Sequence, residues 1–461
     1  MMNAQPAATQ PQSVAGATAA LVARTRAIDY PTLPADAREI ALQCALDWFA
    51  VTVAAAAQPL PSLLLDHARA EGGNPLATIV ARNAKVAPLQ AALINGTASH
   101  MLDYDDVNLS MNGHPTAVIM PALLAAAEPL QAAGADIIAA FVAGYETAAR
   151  VGLLVAPGHY ARGYHATATV GAVAAATGCA HLMKLSAEQT AVAIGIAATQ
   201  AAGLKSMFGT ECKPFHAGLA AQSGLRAAQL AARGMESRAN ALECAQGFAA
   251  VMSPDCNPQA VAGNPHKHYI RENLFKYHAS CYGTHSALEC VNQLREAHGV
   301  TAQMVKRATV RVEKGADTVC NIQNPRTGLE AKFSLRFMTA LGLAGADTSD
   351  LAIYNEATAA DPALCALRDR VAVELVGGWT SMQTEVVLEL ADGRRVAVMA
   401  DAGIPAADVA VQGQRLTAKF ERLVVPVLGA ERSRRLLSLL QQLERTGVDE
   451  LMSAASLPAG A

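Results

Sequence analysis

The fold is decided by residues 214–233, which read PFHAGLAAQSGLRAAQLAAR. Pro214 suits the first turn of a helix, and Gly234 follows the stretch as a C-terminal stop. Between these two residues, small side chains recur at spacings of three and four, so another helix can approach closely. They are Gly218, Ala221, Gly224 and Ala228. The stretch therefore predicts a helix packed tightly among other helices.

The same helical pattern extends from about Thr18 to Ser253. After Asn264 the pattern changes, because apolar and polar residues alternate in short runs that predict strands at 308–313, 371–375, 385–390 and 395–398. Asp392-Gly393 between the last two runs predicts a hairpin turn. Further helices are predicted at 288–298, 331–343 and 415–451.

These patterns predict a mainly α fold with a large all-helical domain and a smaller α+β domain. The predicted division is a disordered N-terminal tail at 1–17, a helical domain at 18–268, an α+β domain at 269–407 and C-terminal helices at 408–461. We expect the C-terminal helices to pack back on the helical domain.

Composition excludes several classes of protein. The formal net charge of the 461 residues is −3 and there is no long run of lysine or arginine, so no nucleic-acid partner is expected. The nine cysteines form no C-x-x-C pair, which favours a reducing cytoplasm over a zinc, iron–sulfur or disulfide framework. Mean hydropathy is +0.21, but the apolar stretches are interrupted or only moderately hydrophobic, so no membrane span is expected. Neither a Gly-rich dinucleotide fingerprint nor a Walker motif is present.

Four clusters of ionisable residues lie beside glycines or prolines that break helices. They span residues 95–115, 163–169, 205–216 and 276–285. The first places four ionisable side chains within seven positions, namely His100, Asp103, Asp105 and Asp106, and His114 follows. In the second, His165 stands just before a long apolar helix. So many polar groups in an alanine-rich chain favour a functional use over packing.

Metal binding is one interpretation of the first cluster, since Asp103, Asp105, Asp106 and His114 could supply oxygen and nitrogen ligands. On a helix, however, Asp103 and Asp106 share a face and Asp105 points elsewhere. The other clusters contribute lysines and histidines, which suit anions and proton transfer better. We therefore expect no cofactor and, with a metal site as the alternative, a pocket that binds a di- or tricarboxylate. Its walls would be His114, His165, Lys213 and His285.

Each residue also has a simpler interpretation. A histidine near a helix start is commonly a cap or a satisfied core residue, and a lysine such as Lys213 is commonly solvated. Cys281 is more often a small buried apolar residue than a nucleophile. The recurrence of histidines at helix boundaries is what favours a pocket between helix ends.

Together the clusters resemble the MmgE/PrpD family, which includes 2-methylcitrate dehydratase, cis-aconitate decarboxylase and iminodisuccinate epimerase. The resemblance spans nearly the whole chain. The residues that carry it are Asn95-Gly96, His100-x-x-Asp103-Tyr104-Asp105-Asp106, His114-Pro115-Thr116, Gly163-Tyr164-His165-x-Thr167-x-Thr169, Phe208-Gly209-x-x-x-Lys213-Pro214-x-His216-x-Gly218, Ser280-Cys281-x-x-x-His285 and Ala331-Lys332-Phe333-Ser334.

The resemblance implies a helical main domain completed by the C-terminus, an α+β lid, a homodimer and a metal-independent site between the domains. It implies proton abstraction beside a carboxylate, followed by loss of water or carbon dioxide or by reprotonation. The family's pocket positions correspond to Asp103, His114, His165, Lys213 and His285. We interpret His114 or His165 as the proton-transferring group, with Lys213 and His285 holding carboxylates. Asp105 and Asp106 are given structural or helix-end roles.

Further substrate contacts are predicted at Thr167, Tyr104, His278, Ser280, Tyr282 and Arg336. Phe337 stands where relatives often carry tyrosine, so a phenol is lost, and His278 or Tyr282 is the candidate replacement. The sequence leaves three alternatives to a lyase open: an epimerase of a dicarboxylate, a non-catalytic carboxylate-binding protein, and a metal-dependent hydrolase. It does not name the substrate or the base.

Overall fold

The computed structural model describes residues 16–264 and 267–458, and helices dominate the first of these two parts. The helices are α1 (Ala17–Arg26), α2 (Ala35–Ala55), α3 (Pro59–Glu71), α4 (Pro88–His100), α5 (Thr116–Leu130), α6 (Gly134–Val155), α7 (Gly158–Ala161), α8 (Ala166–Leu182), α9 (Ala187–Ala198), α10 (Cys212–Ala232), α11 (Phe248–Met252) and α12 (Pro258–Ala262). A short antiparallel pair, β1 (Ala77–Thr78) and β2 (Lys85–Val86), lies between α3 and α4. Sequence analysis missed it, since two-residue strands have no periodicity.

Helix α10 contains the stretch that predicted the fold. It begins at Cys212, two residues before the predicted start, and Gly234 follows its end in the left-handed conformation at φ +90°. It packs between α4 and α8. The predicted close approach is confirmed, because a Cβ atom on Gly224 would lie 2.4 Å from Cβ of Ala175 in α8.

Replacing Gly218 by alanine is expected to destabilise the protein. The added Cβ would lie 2.2 Å from the Leu93 carbonyl oxygen and 2.3 Å from Thr97 Oγ1, both in α4. This overlap forces the helices apart and outweighs the roughly 1 kcal/mol by which alanine favours a helix interior. We expect the free energy of unfolding to fall by about 1–3 kcal/mol, measured by thermal and urea denaturation. Gly447→Ala is the control, since no atom lies within 4 Å of its added Cβ; equal stability of the two variants would contradict the prediction.

Two apolar helices form the centre of the helical part. The most apolar window of α6 is long enough to span a membrane, but 94% of it is buried inside the protein. In α8 every residue except His181 is buried. Because α8 is enclosed on all sides, the residues at its N-terminal end lie deep in the protein, and this positions His165 and Thr167.

The second part of the chain contains a four-stranded sheet with helices beside it. The helices are α13 (His285–His298), α14 (Gly328–Lys332), α15 (Leu335–Ala344), α16 (Glu356–Ala359) and α17 (Pro362–Arg368). The strands β3 (Val305–Glu313), β4 (Val371–Val376), β5 (Gln383–Leu390) and β6 (Arg395–Asp401) lie in the order β4-β3-β5-β6. Strands β3 and β4 are parallel and the other pairs are antiparallel. Buried side chains of the sheet pack against α13 and α15.

The helix predicted at 331–343 is interrupted. Helix α14 ends at Lys332, and α15 begins at Leu335 with the Ser334 side chain accepting a hydrogen bond from the Phe337 amide. Serine commonly caps helices in this way, because its hydroxyl satisfies a free N–H group of the first turn. The break holds Lys332 at the end of its own short helix.

Three C-terminal helices, α18 (Val409–Leu428), α19 (Ala430–Gln441) and α20 (Val448–Ala454), complete the chain. Helix α18 packs along α2, where Lys419 Nζ lies 2.6 Å from Asp47 Oδ1. The same ammonium group donates to the carbonyl oxygens of Tyr104 at 2.7 Å and Lys276 at 3.0 Å. One buried lysine therefore joins α2 to two segments that carry predicted site residues.

The prediction of a mainly α fold is confirmed. The predicted hairpin is also confirmed, since β5 and β6 pair and Gly393 has φ +87°. The division into domains stays a prediction. Residues 1–15 of the predicted tail lie outside the described residues, and Ala17 already begins α1 and is buried.

Candidate active site

The loop between α4 and α5 carries three aspartates and one histidine of the first cluster. His100 is the last residue of α4, and the residues from 101 to 115 follow a non-helical path. Asp103 adopts the left-handed conformation at φ +51°. Asp103 and Asp106 therefore do not share a helical face, because neither residue lies in a helix. Asp103, Asp105 and Asp106 are all buried, and the three carboxylates serve different partners.

Lysines from three distant segments meet at Asp103. Lys213 Nζ, from the first turn of α10, lies 2.6 Å from Asp103 Oδ1. Lys276 Nζ lies 3.2 Å from the same oxygen and donates to the Asp103 carbonyl at 2.7 Å. Lys332 Nζ donates to the Leu102 carbonyl at 3.1 Å. The Asp103 carboxylate thus has two buried ammonium groups in contact with it and a third nearby. Lys213, Lys276 and Lys332 are called the lysine group below.

The charges of this group shift the pKa values of its members. Burial alone would raise the pKa of Asp103, but Lys213 and Lys276 outweigh it and hold that pKa far below its usual range. Burial, together with the ammonium groups of Lys276 and Lys213, lowers the pKa of Lys332 to about 8, although the Asp103 carboxylate acts in the opposite direction. Asp103 is therefore ionised at neutral pH, and the group has an excess of positive charge that suits an anionic ligand.

Asp105 lies between two imidazole rings. His100 Nδ1 is 3.0 and 2.9 Å from the two Asp105 oxygens, and His114 Nδ1 is 3.1 Å from Oδ2. Burial alone would raise the pKa of Asp105, but the two histidines outweigh it and hold the pKa well below its usual value. Burial lowers the pKa of His100 to about 4, so that ring is uncharged at neutral pH.

His165 adjoins this pair from the N-terminal end of α8. Its ring stacks on that of His100 with centroids 5.9 Å apart, and its Nδ1 lies 3.2 Å from His216 Nδ1. Burial, with the charges of His100 and Lys213 adding to it, lowers its pKa well below the usual value. Thr167 Oγ1 accepts a hydrogen bond from the His114 amide at 3.2 Å. Four predicted residues, Asp103, His114, His165 and Lys213, are thus assembled together with Thr167.

The remaining predicted histidines form a second cluster at the start of α13. His285 Nε2 lies 3.4 Å from the Ser280 carbonyl oxygen, and the rings of His278 and Tyr282 lie 5.0 and 4.8 Å from its own. Burial lowers the pKa of His285 well below its usual value, and the charges of His278 and Lys276 act in the same direction. Lys276 therefore influences both clusters.

Comparison with known proteins agrees with this arrangement. Residues 19–260 match the sequence model of the MmgE/PrpD N-terminal domain, and residues 278–445 match that of the MmgE/PrpD C-terminal domain. The chain belongs to the MmgE/PrpD family. The resemblance drawn from the sequence motifs is thereby confirmed.

Among curated relatives of this MmgE/PrpD chain, the cis-aconitate decarboxylase-like protein oryM of Aspergillus oryzae is 30% identical over 235 residues, 47% of this chain and 49% of oryM. Cis-aconitate decarboxylase of Aspergillus terreus is 25% identical over 288 residues, 58% of this chain and 59% of that enzyme. The Homo sapiens cis-aconitate decarboxylase is 32% identical over 177 residues, 36% of this chain and 35% of that enzyme. The chain spans about half the length of the fungal relatives it matches and about a third of the human one.

Other predicted contact residues of this MmgE/PrpD chain have partners outside the lysine group. The Tyr104 hydroxyl donates to the Tyr277 carbonyl at 3.1 Å, and the Tyr282 hydroxyl donates to the Ala402 carbonyl at 2.6 Å. His278 Nδ1 is 2.6 Å from Thr348 Oγ1, Ser280 Oγ is 2.9 Å from Thr284 Oγ1, and Arg336 donates to the Asn321 side chain. Phe337 is fully buried in an apolar cluster with Leu288 and Met338. Their predicted roles stay predictions.

A metal ion could be held by one group in the described part of the chain. His100, Asp105 and His114 offer three ligand atoms within 4.8 Å of one another, a combination of imidazole nitrogen and carboxylate oxygen that suits zinc. Their contacts of 2.9–3.1 Å are also hydrogen-bond distances. Hydrogen bonds account for the pairing of His100 with Asp105, whereas His114 Nδ1 lies off the hydrogen-bond axis. Chelation tests the metal alternative.

Sequence reasoning left four residues of this arrangement out of the site: His100, Asp105, Lys276 and Lys332. His100 and Asp105 were both counted in the dense first cluster, but Asp105 was given a structural or helix-end role, whereas it lies in no helix and contacts two histidines. Lys276 is the first residue of the fourth cluster, and Lys332 stands within a quoted motif. The signal that could have identified them is a lysine next to a helix break in an otherwise apolar segment.

Proposed function

We propose that this chain is a metal-independent lyase that removes water or carbon dioxide from a small di- or tricarboxylate by proton abstraction next to a carboxylate. The observation that carries the proposal is the convergence of Lys213 and Lys276 on the carboxylate of Asp103, with Lys332 bound to the adjacent Leu102 carbonyl. Two histidines that contact Asp105 lie beside this group. Homodimer formation and a cytoplasmic location stay predictions.

The lysine group supports binding of an anion with two or more carboxylates. Asp103 is in contact with the ammonium groups of Lys213 and Lys276, whereas Lys332 Nζ donates to a backbone carbonyl and forms no ion pair within the described residues. Buried charges that lack a partner are unfavourable. A substrate carboxylate would supply the missing partner, and the same cations would stabilise negative charge that develops next to it.

The histidines supply the proton transfer. For dehydration, an imidazole nitrogen takes the proton from the carbon next to a carboxylate, the electron pair of the C–H bond forms a C=C bond, and the hydroxyl group takes a proton from an imidazolium and leaves as water. For decarboxylation, the C–C bond to a carboxylate breaks, carbon dioxide leaves, the electron pair stays on the carbon, and an imidazolium donates a proton to that carbon. His114 and His165 are the candidates, because the charge of His114 acts on Asp103 and the charge of Lys213 acts on His165.

A substrate panel in deuterated water tests the proposal. The enzyme is incubated with citrate, methylcitrate, aconitates and iminodisuccinate, and the products are analysed by mass spectrometry. A product lighter by water or carbon dioxide is expected. Deuterium in the recovered substrate without a lighter product would indicate an epimerase instead. Binding without either change would indicate a carboxylate-binding protein, and both of these outcomes contradict the lyase.

Chelation is expected to leave turnover unchanged. The lysine group already supplies the positive charge that a metal ion would otherwise contribute beside a substrate carboxylate. The protein is treated exhaustively with EDTA and 1,10-phenanthroline, its metal content is measured by mass spectrometry, and kcat is compared before and after. Loss of activity that returns on adding zinc or magnesium would overturn metal independence and favour the group at His100, Asp105 and His114.

A further inference from the structure

The contact of Asp105 with two histidines is not symmetric. The His100 side chain is fully buried, whereas 13% of the His114 side chain is exposed. His100 Nδ1 meets both Asp105 oxygens in hydrogen-bond geometry, whereas the 3.1 Å approach of His114 Nδ1 lies off the hydrogen-bond axis. Catalytic hydrogen bonds are often poorly aligned before substrate binds. His100 therefore fixes the carboxylate, and His114 is the ring that is free to adjust.

This arrangement decides which nitrogen of His114 carries the proton. An ionised carboxylate only accepts hydrogen bonds, so a histidine nitrogen that faces it carries hydrogen. Asp105 is held ionised by the two rings. With hydrogen on Nδ1, a neutral His114 has its lone pair on Nε2, on the opposite side of the ring. His165 lacks such a partner, because its Nδ1 faces His216 Nδ1.

We propose that Asp105 is the positioning residue of the reaction: anchored by His100, it holds the hydrogen of His114 on Nδ1 and leaves Nε2 as the atom that accepts the substrate proton. This inference rests on the proposed function and assigns the base within it. Asp105 touches no substrate and acts through His114. His100 is the second positioning residue, since it fixes the carboxylate through two contacts.

Asp105 is the carboxylate whose charge acts directly on His114. The groups around the ring are His100 at the end of α4, His165 before α8, Lys213 in α10, and Asp103 and Asp105 in the loop. Of the two carboxylates, Asp103 is paired with lysines. Removing the Asp105 charge consequently leaves no carboxylate of the described residues in contact with the His114 ring, since Asp103 contacts the lysines.

Asp106 offers a matched control one position along the chain. It is buried like Asp105, and Thr116 Oγ1 donates a hydrogen bond to it. Burial, together with the carboxylates of Asp47 and Asp105, raises the pKa of Asp106 to about 8. The group is therefore mostly neutral at pH 7, and Asp106→Asn replaces a neutral acid by a neutral amide of the same shape.

The kinetic test compares Asp105→Asn with Asp106→Asn. We expect Asp105→Asn to lower kcat about 100-fold, the loss that follows from a misplaced catalytic group, with KM changed less than threefold. Asp106→Asn is expected to keep wild-type kinetics. A kcat within threefold of wild type for Asp105→Asn overturns the proposal.

A second measurement needs no substrate. Protein with ¹⁵N-labelled histidine is examined by long-range ¹H–¹⁵N correlation, with His114 assigned from the spectrum of His114→Asn. Hydrogen on Nδ1 is expected in the wild type and in Asp106→Asn, and a changed tautomer in Asp105→Asn. Hydrogen on Nε2 in the wild type overturns the proposal. If no carboxylate is turned over, the proposed function fails, while the tautomer still decides whether Asp105 positions His114.

Discussion

Replacing His114 by asparagine is expected to lower kcat by about a hundred- to ten-thousand-fold, the usual contribution of a positioned acid or base. Asparagine keeps a polar group near Asp105 but has no nitrogen that titrates near neutral pH. His114 lies within 3.1 Å of Asp105 and is partly exposed, so it is the ring of this pair that can reach a substrate. Because the lysine group is untouched, KM is expected to change less than tenfold.

The measurement is steady-state kinetics on the carboxylate that the panel identifies, with substrate binding followed by calorimetry. His67→Asn is the control, since that side chain is 64% exposed and pairs only with Glu71 in the described structure. A variant of His114 that turns over at the wild-type rate would remove this residue from the mechanism and leave His165 as the candidate base.

Replacing Lys213 by methionine is expected to lower kcat/KM by about 100- to 1000-fold, as the loss of one preorganised donor to a developing anion does elsewhere. Methionine retains an unbranched side chain but has no charge. Lys213 is buried and lies 2.6 Å from Asp103, so its loss removes positive charge from the centre of the group. Both a higher KM and a lower kcat are expected, because the ammonium group would bind the substrate and stabilise the transition state.

The kinetic effect must be separated from a loss of stability, since removing one partner of a buried ion pair is destabilising. Asp103 retains Lys276 at 3.2 Å in this variant, which limits the effect. Circular dichroism and thermal denaturation check the fold. Lys184→Met is the control, because its side chain is 77% exposed. Wild-type kcat/KM in a folded Lys213→Met protein would contradict a role for the lysine group in catalysis.

Much of the fold follows from local patterns in the sequence. The small residues of α10 predicted close helix packing because a side chain at Gly218 or Gly224 would overlap a neighbouring helix. The strands of the sheet were predicted from alternation, and their pairing through the Asp392-Gly393 turn from the residues of that turn. The break at Ser334 was missed, because a continuous apolar periodicity runs across it and only the cap hydrogen bond interrupts the helix.

The site was harder to predict because its members come from distant segments. Of the predicted pocket residues, His114, His165 and Lys213 lie near Asp103 and Asp105, whereas His285 lies in the second cluster. The partners of Asp103 and Asp105 depend on a loop whose path has no periodicity. A helical interpretation of that loop separated Asp105 from its neighbours, whereas the left-handed turn at Asp103 sends both carboxylates inward. Lys276 and Lys332 reach the site only through tertiary packing.

The position of Lys419 has a consequence for protein synthesis. Lys419 binds the carbonyl of Tyr104, 315 residues earlier, and Gln412 binds Gln43, 369 residues earlier. A ribosome adds about 5–20 residues per second, so about 15–75 s pass between making the two ends of either contact. During that interval Asp47 lacks its lysine, and α2 lacks the helix that covers it. Until α18 leaves the ribosome, the core of the growing chain therefore lacks this helix, and the Tyr104 segment of the candidate site lacks its contact with Lys419.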